Sequence, residues 1–580
     1  MGAHTVRLGF SWLHDTVTEL GFGENVNGWI HTNLADFYAG AGPSTFLEQQ
    51  FPSATEQPFL FNTFGGYIAD DWKVNDRLTV SLNLRLENYA NPTCGHNCFA
   101  RLSSTFTGGL ADVNQPYNQA ILANQHNAFP NTPTVIWEPR IGIAWRPFNS
   151  DKTVIRTGAG IFADEIPGFL AQAAAFNSPG LNAFTIANGP IAPGAPNSLY
   201  SAASSANQAL LSGFASGGTL ASITAAVPSF APPNISSFPA FFKNPTYYKW
   251  NFEVQQALGS KMLLSLNYAG MHGNYIPIAD GGLNAYCPAD ACPGGWAGLP
   301  AAPPDPRFGV VTQFMDGGIA NYNGLTASLQ RRMSAGLTFN LNYTWSHAQD
   351  EVSNGGLLPF SYIATNESIL YPQNPFNLRA NYGNADQDVR HYVSFGWVMT
   401  DMFRHAGMHW GPGMIFGGWT LSGNVFFRTG MPFTVIDGNA TNLLSSFNYL
   451  GTVFATPLTH FATCDKSAVN TPCLTASEFL PATNGFGAQG RNDFRGPNFF
   501  DMDLALMKDI RIKERVTFSF GAQAFNVLNH PNFDQPVADI ANPSFGNIIS
   551  LVGTPTSILG AFVGGNNSPR FVELKGELRF

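Results

Sequence analysis

The chain has 580 residues, of which only 12% are charged against 13% aromatic, with 49 Phe, 17 Tyr and 11 Trp. That is too little charge to cover several soluble domains, where about a quarter of residues are normally charged. A net charge of -9 with no Lys/Arg cluster excludes nucleic acid as a partner. Mean hydropathy is -0.04, and no run reaches the ~18 apolar residues of a transmembrane helix.

The N-terminus, Met1-Gly2-Ala3-His4, leads straight into an alternating run, Thr5-Val6-Arg7-Leu8-Gly9-Phe10. It has no basic n-region, apolar h-region or cleavage site, so an exported protein is expected to begin upstream, and this chain to be a fragment or a mis-started gene product. Strands are expected over 3–13, 59–73, 77–90, 138–148, 152–163, 246–258, 261–275, 320–333, 336–348, 388–403, 417–430, 499–511, 514–529 and 570–580, with two weaker ones between 27 and 53. In Leu78, Val80, Leu82, Leu84 and Leu86 the apolar residues alternate with Thr79, Ser81, Asn83, Arg85 and Glu87. A period of two puts each set on its own face of a sheet. The runs 337–346 and 516–524 alternate in the same way, and helical spacing would bury their polar groups.

The connections alternate too. Tight turns are expected at Val74-Asn75-Asp76, Asn149-Ser150-Asp151, Gly259-Ser260, Ser334-Ala335-Gly336 and Lys513-Glu514. Between those hairpins lie long Gly/Pro/Asn/Ser-rich stretches, 91–136, 165–246, 276–320, 350–389, 437–498 and 530–569, expected to be structureless. Short turns on one side and long loops on the other are the pattern of an outer-membrane barrel. The expectation is an all-β transmembrane antiparallel β-barrel of about 16 strands, residues 1–580 forming one barrel domain, with an even count allowing antiparallel closure. A propeller would show a repeat period, and the intervals here are irregular.

The last strand places Val572, Leu574, Leu578 and Phe580 on one face and Glu573, Lys575, Glu577 and Arg579 on the other. The terminal Phe580 resembles the assembly signal of outer-membrane barrels, which implies outer-membrane lipid and the barrel assembly machinery as partners. Further segments resemble the barrel of TonB-dependent receptors, most closely the Oar-like group. They are Tyr67-Ile68-Ala69-Asp70-Asp71-Trp72-Lys73-Val74 followed by Arg77-Leu78-Thr79, then 138–145, 156–162, 321–325 and 343–346. Gly490-Arg491-Asn492, Arg495-Gly496-Pro497 and Phe525-Asn526-Val527-Leu528-Asn529-His530-Pro531 complete the series. The resemblance implies a 22-stranded parent barrel, of which this chain supplies fewer strands. It also implies a signal peptide, a regulatory-like β domain, a TonB box and a plug, none visible here, so the TonB complex would be engaged only through that plug. Uptake of an unidentified substrate is the activity implied. A surface adhesion or scaffold protein and a passive porin-like channel are the alternatives.

The six cysteines form three close pairs in expected external loops: Cys94/Cys98, Cys287/Cys292 and Cys464/Cys473. Even numbers in an oxidising compartment read as disulfides. Cys94, His96 and Cys98 offer three ligands where structural zinc takes four, so no metal or cofactor is expected. No GxSxG, HExxH or P-loop motif is present, and no catalytic residue is assigned. His347 and Asp350 read as a solvated strand edge, His530 as turn chemistry, and Gly158-Ala159-Gly160 as a bulge or packing point. Inward-facing Arg85, Glu87, Arg140 and Arg156 would line a path or pair across it.

Overall fold

A computed structural model of the chain describes residues 3–580 apart from 21–25, 43–44, 55, 188, 293–295, 297, 354–370, 402–412, 459–471, 484, 514–515 and 553–568. The alternating runs become an antiparallel meander of long strands. These are β1 (His4–Leu20), β2 (Glu56–Asn75), β3 (Leu78–Tyr89), β4 (Ile136–Trp145), β5 (Thr153–Ala163), β6 (Thr246–Leu258), β7 (Met262–Asp280), β8 (Val311–Ser334), β9 (Leu337–Asp350), β10 (His391–Thr400), β11 (Trp419–Arg428), β12 (Phe499–Lys513), β13 (Val516–Phe525) and β14 (Phe571–Arg579). Each pairs with the next in chain order.

The meander therefore has fourteen strands among the described residues, not sixteen. The two weak runs between 27 and 53 are short. They become Trp29–His31 and Phe46–Pro52, and Phe46–Pro52 is the middle strand of a separate three-stranded sheet, between Trp29–His31 and Leu181–Ala187. The expected closure is absent as well: among the described residues β1 pairs along its length only with β2, and β14 only with β13, so the sheet is open along these two edges.

Register keeps like faces together. Leu82, Ile141, Ala159, Trp250 and Gly270 lie in one cross-strand row, while Asn83, Arg140, Gly160, Lys249 and Met271 lie in the row on the opposite face. A slip of one residue would exchange the two faces. The burial is inverted relative to a soluble sheet. Apolar Leu8 is 74% exposed and Leu574 83% exposed, whereas Glu87 and Glu138 are buried. Apolar residues outside and polar residues inside suit lipid on one face and water on the other. Two outer-face glycines are covered by a neighbouring aromatic ring. Trp250 lies across Gly270 and Trp397 across Gly423, so the ring shields backbone that glycine leaves bare.

The long stretches are not structureless, and their apolar residues explain why. Among the described residues they build a cap with four apolar clusters. One joins the three-stranded sheet, through Leu47, Phe184 and Ile186, to the helix Leu199–Ser216. That helix begins where the Ser198 hydroxyl accepts from the Ser201 amide, and stops at Gly217, whose φ of 73° is left-handed. A second gathers Phe59, Phe99, Phe129, Phe238, Phe242 and Phe314. The third and fourth use the later loops, through Phe433, Phe479 and Phe545 and through Trp296, Leu444 and Tyr449.

Candidate functional site

The inner face divides into walls of different chemistry. From β1 to β6 it is ionic. Arg7 pairs with Asp71 between β1 and β2, Arg85 with Glu87 on β3, and Arg140 with Glu138 on β4. These charges meet because positions two apart in a strand share a face and because Arg85 stands opposite Glu138 in register. The Tyr89 hydroxyl lies 3.1 Å from both Glu87 and the Ala163 carbonyl. The guanidinium of Arg140 sits 4.2 Å from the Phe162 ring centre, and the Lys249 ammonium 5.0 Å from the same ring. Near the short turns a hydroxyl caps a carboxylate across the hairpin, Ser81 to Asp71 and Ser519 to Asp509, both at 2.6 Å.

From β7 to β11 the inner face changes character. The inward residues are Ser265 and Asn267 on β7, Thr326, Ser328 and Gln330 on β8, and Asn340, Asn342 and Thr344 on β9, continued by Ser394 on β10 and Ser422 and Asn424 on β11. They form rungs: Thr326 and Thr344 hydroxyls at 2.9 Å, Ser328 donating to Asn342 at 2.7 Å, and Asn342 donating to Ser394 at 3.3 Å. A cavity of 790 Å³ lies against this wall, lined by Gln330, Asn340, Ser422, Asn424, Asp503 and Gln523 among others.

The cap is locked to the strand ends by two arginines of the β11–β12 connection. Arg491 is fully buried. It pairs with Asp350 at the end of β9 and with Asp386 at 3.1 Å, and donates to the Asn381 carbonyl at 3.0 Å and the Ser353 hydroxyl at 3.3 Å. Arg495 pairs with buried Asp388, which also holds Arg390 at 2.9 Å. Arg390 in turn reaches Nε2 of His347 at 2.8 Å. Gln373 staples the same two connections, accepting from the Phe454 amide at 2.6 Å and the Gly487 amide at 3.1 Å. Burial pushes the Glu351 carboxyl above its usual value, partly offset by Arg379 and the Ile319 amide. Burial likewise raises the Tyr117 phenol, which donates to the Arg307 carbonyl at 2.6 Å.

Of the residues singled out in the sequence, Arg85, Glu87 and Arg140 come together on the inner face, while Arg156 faces inward and makes no ion pair among the described residues. The solvated-edge reading of His347 and Asp350 is overturned: Asp350 is buried against Arg491, and His347 bonds Asn384 and Arg390. His530 sits in a turn closed by Asn526, whose side chain accepts from the His530 amide at 2.9 Å and donates to its carbonyl at 2.8 Å. Gly158 and Gly160 lie in an unbroken register, so they are a packing point; a Cβ at Gly160 would stand 2.8 Å from the Arg140 side chain.

Two of the three expected cysteine bridges are described: Cys94 is bonded to Cys98 and Cys287 to Cys292. The third pair, Cys464/Cys473, is not among them, because Cys464 lies outside the described residues, as does Glu514 of the last expected turn. Cys473 itself is described and is not a free thiol. It sits in the cap: it packs against the Phe433, Phe479 and Phe545 cluster, and its amide donates to the Gly546 carbonyl at 2.9 Å. Phe580 is exposed, following β14. The Arg491 and Arg495 locks were missed, since their partners lie more than a hundred residues away in sequence.

Among solved structures the chain is similar to the siderophore receptor PirA from Acinetobacter baumannii, with a TM-score of 0.42 and 9% identity over 100% of this chain and 52% of that one. It is similar to the siderophore receptor PiuA from the same organism, at 0.40 and 7% over 90% and 44%. It is also similar to the ferric enterobactin receptor PfeA from Pseudomonas aeruginosa, at 0.39 and 8% over 92% and 50%. The chain thus spans about half the length of these receptors. No curated protein matches it. The model of one family does match, along residues 1–558, and the chain accordingly belongs to the outer membrane beta barrel domain family and resides in the bacterial outer membrane.

Proposed function

We propose that the chain is the barrel portion of a TonB-dependent receptor of the Oar-like type, which takes up an external solute across the outer membrane, and that residues 1–580 all belong to that barrel. The observation that carries the reading is the inner face: a continuous column of polar side chains running from the cap to the periplasmic turns, behind an apolar outer face. Such a column keeps water and a polar solute in register with the bilayer, where lipid alone would exclude both. The motif series from Tyr67 to Pro531 supports the receptor type. In this reading substrate is met by the cap, and an inner-membrane partner acting through a plug opens the path.

The test is deletion of the gene in its own bacterium, followed by growth on a panel of single nutrients. Loss of growth on one nutrient, reproduced when TonB is removed, is the expected result. A loss independent of TonB, with open conductance of the purified chain in planar bilayers, would instead make it a passive channel.

A further inference from the structure

The inner face of β7 to β11 carries no charged residue between Arg332 at the periplasmic turn and Asp350 and Arg428 at the upper strand ends. On either side of it the wall is ionic: Arg85, Glu87, Glu138, Arg140 and Lys249 toward β1, and Asp503, Asp509, Glu573 and Lys575 toward β14. Part of the ionic wall neutralises itself, through the pairs Arg7–Asp71, Arg85–Glu87 and Arg140–Glu138. The neutral wall satisfies only part of itself, through the rungs of Thr326, Thr344, Ser328, Asn342 and Ser394. Among the described residues the side chains of Gln330, Asn340 and Asn424 on this wall, and of Gln523 on β13 across the same 790 Å³ cavity, have no hydrogen-bond partner. The Oδ1 of Asn267, higher on the same wall, is buried without one.

We propose that this wall is a binding surface for an uncharged, polyhydroxylated solute of oligosaccharide type. The assignment rests on the transport reading above and adds the class of solute. A carboxamide offers two donors and an acceptor with two lone pairs, and a hydroxyl offers both roles. A sugar hydroxyl therefore exchanges its water hydrogen bonds for wall hydrogen bonds one for one. A charged solute moving along the same wall gives up hydration and meets counter-charge only at the margins of the cavity, at Arg331 and Arg332 below and Asp503 on β12, and desolvated charge without a partner is costly. Inward Tyr322, Tyr392 and Phe426 border the amides on the same face and supply the flat apolar surface that a pyranose ring covers. The cavity volume falls in the ordinary range for small-ligand sites, about 300–1,000 Å³.

The experiment uses the full chain purified in detergent, with stachyose as the neutral probe and tetragalacturonate, tetralysine and tetraglycine amide as size-matched comparisons, read by saturation-transfer NMR and equilibrium dialysis. Stachyose is expected to bind in preference to the other three. Asn340→Asp and Asn424→Asp are each expected to weaken it by about tenfold, the equivalent of one lost hydrogen bond with an unpaired charge left behind. Asn340→Gln is expected to retain most of the affinity, and circular dichroism confirms that each variant is folded. Gln330→Lys repeats the test should an aspartate variant fail to fold. Preferential binding of a charged probe or of tetraglycine amide, or no binding of any, overturns the proposal. If stachyose binds but gene deletion leaves saccharide uptake unchanged, the transport reading fails and the solute class stands. If gene-dependent uptake is found for a charged solute alone, the class fails and transport stands.

Discussion

Replacing Arg491 by Ala would unlock the cap. Its guanidinium satisfies Asp350, Asp386, Ser353 and two backbone carbonyls at once, in a site closed to solvent. Removing it strands Asp350 as a buried carboxylate, and breaking one partner out of a buried pair costs roughly 3–5 kcal/mol. At 1.4 kcal/mol per factor of ten, the opened population should rise by roughly two to three and a half orders of magnitude. The reporter is hydrogen exchange of 371–390, which Arg491 holds through Asn381 and Asp386, and of 431–440, which the adjoining Asn492 holds through Thr434, against β2 and β3 as the internal standard. Loss of protection confined to the cap segments is the expected pattern. Arg491→Lys should fall between the two, since it keeps the charge and loses the fork. The double change Arg491→Met with Asp350→Leu should recover much of the protection, because apolar replacement of both partners avoids the stranded charge. Unchanged protection in Arg491→Ala would refute the idea that this ion cluster holds the cap.

Leu325→Arg on the outer face of β8 should cost about 2–4 kcal/mol of folding free energy in liposomes, whereas inward Thr326→Arg should cost far less; equal costs would contradict the assignment of faces. Gly423→Ala should destabilise by about 1–3 kcal/mol, because the added Cβ would stand 2.5 Å from the Trp397 ring and 2.8 Å from the Asp503 carbonyl; urea titration of the reconstituted chain measures this. For Glu351 the sign follows from the raised folded-state pKa. The folded cap binds the proton more tightly than the unfolded chain, so its contribution is full below the ordinary value of 4.5 and is lost as pH rises through the folded value. Exchange protection of 311–320, corrected for intrinsic rates, should therefore fall as pH rises above the ordinary carboxylate value, and Glu351→Gln should flatten the trend.

The transmembrane frame was legible because one physical rule repeats in every strand. The run Leu78 to Glu87 already separates its two faces, and the register pairs them as the alternation requires. The cap was not legible for the opposite reason. The stretch 165–246 reads as loop from its Gly, Pro, Ser and Ala content, yet Leu199, Ala203, Ala206 and Leu210 recur at helical spacing and are all buried. Small residues gave that helix too weak an apolar signal to stand out. Asp350 was misread because its surroundings are supplied by Arg491, 141 positions away, and no local pattern encodes such a partner. The 27–53 runs show the limit of counting strands: extended backbone forms there, but it joins the cap.

The cap's cores have a consequence for the order in which the molecule is completed. Phe433 packs in one cluster with Phe545, and Leu47 in another with Val311. Each cluster thus gathers segments from several hairpins, so none can condense until those hairpins stand side by side. Pairing of the hairpins must come first and capping second. During the interval the phenylalanines of the cap lie bare, and a holding factor or rapid completion of the last hairpin would guard them against aggregation.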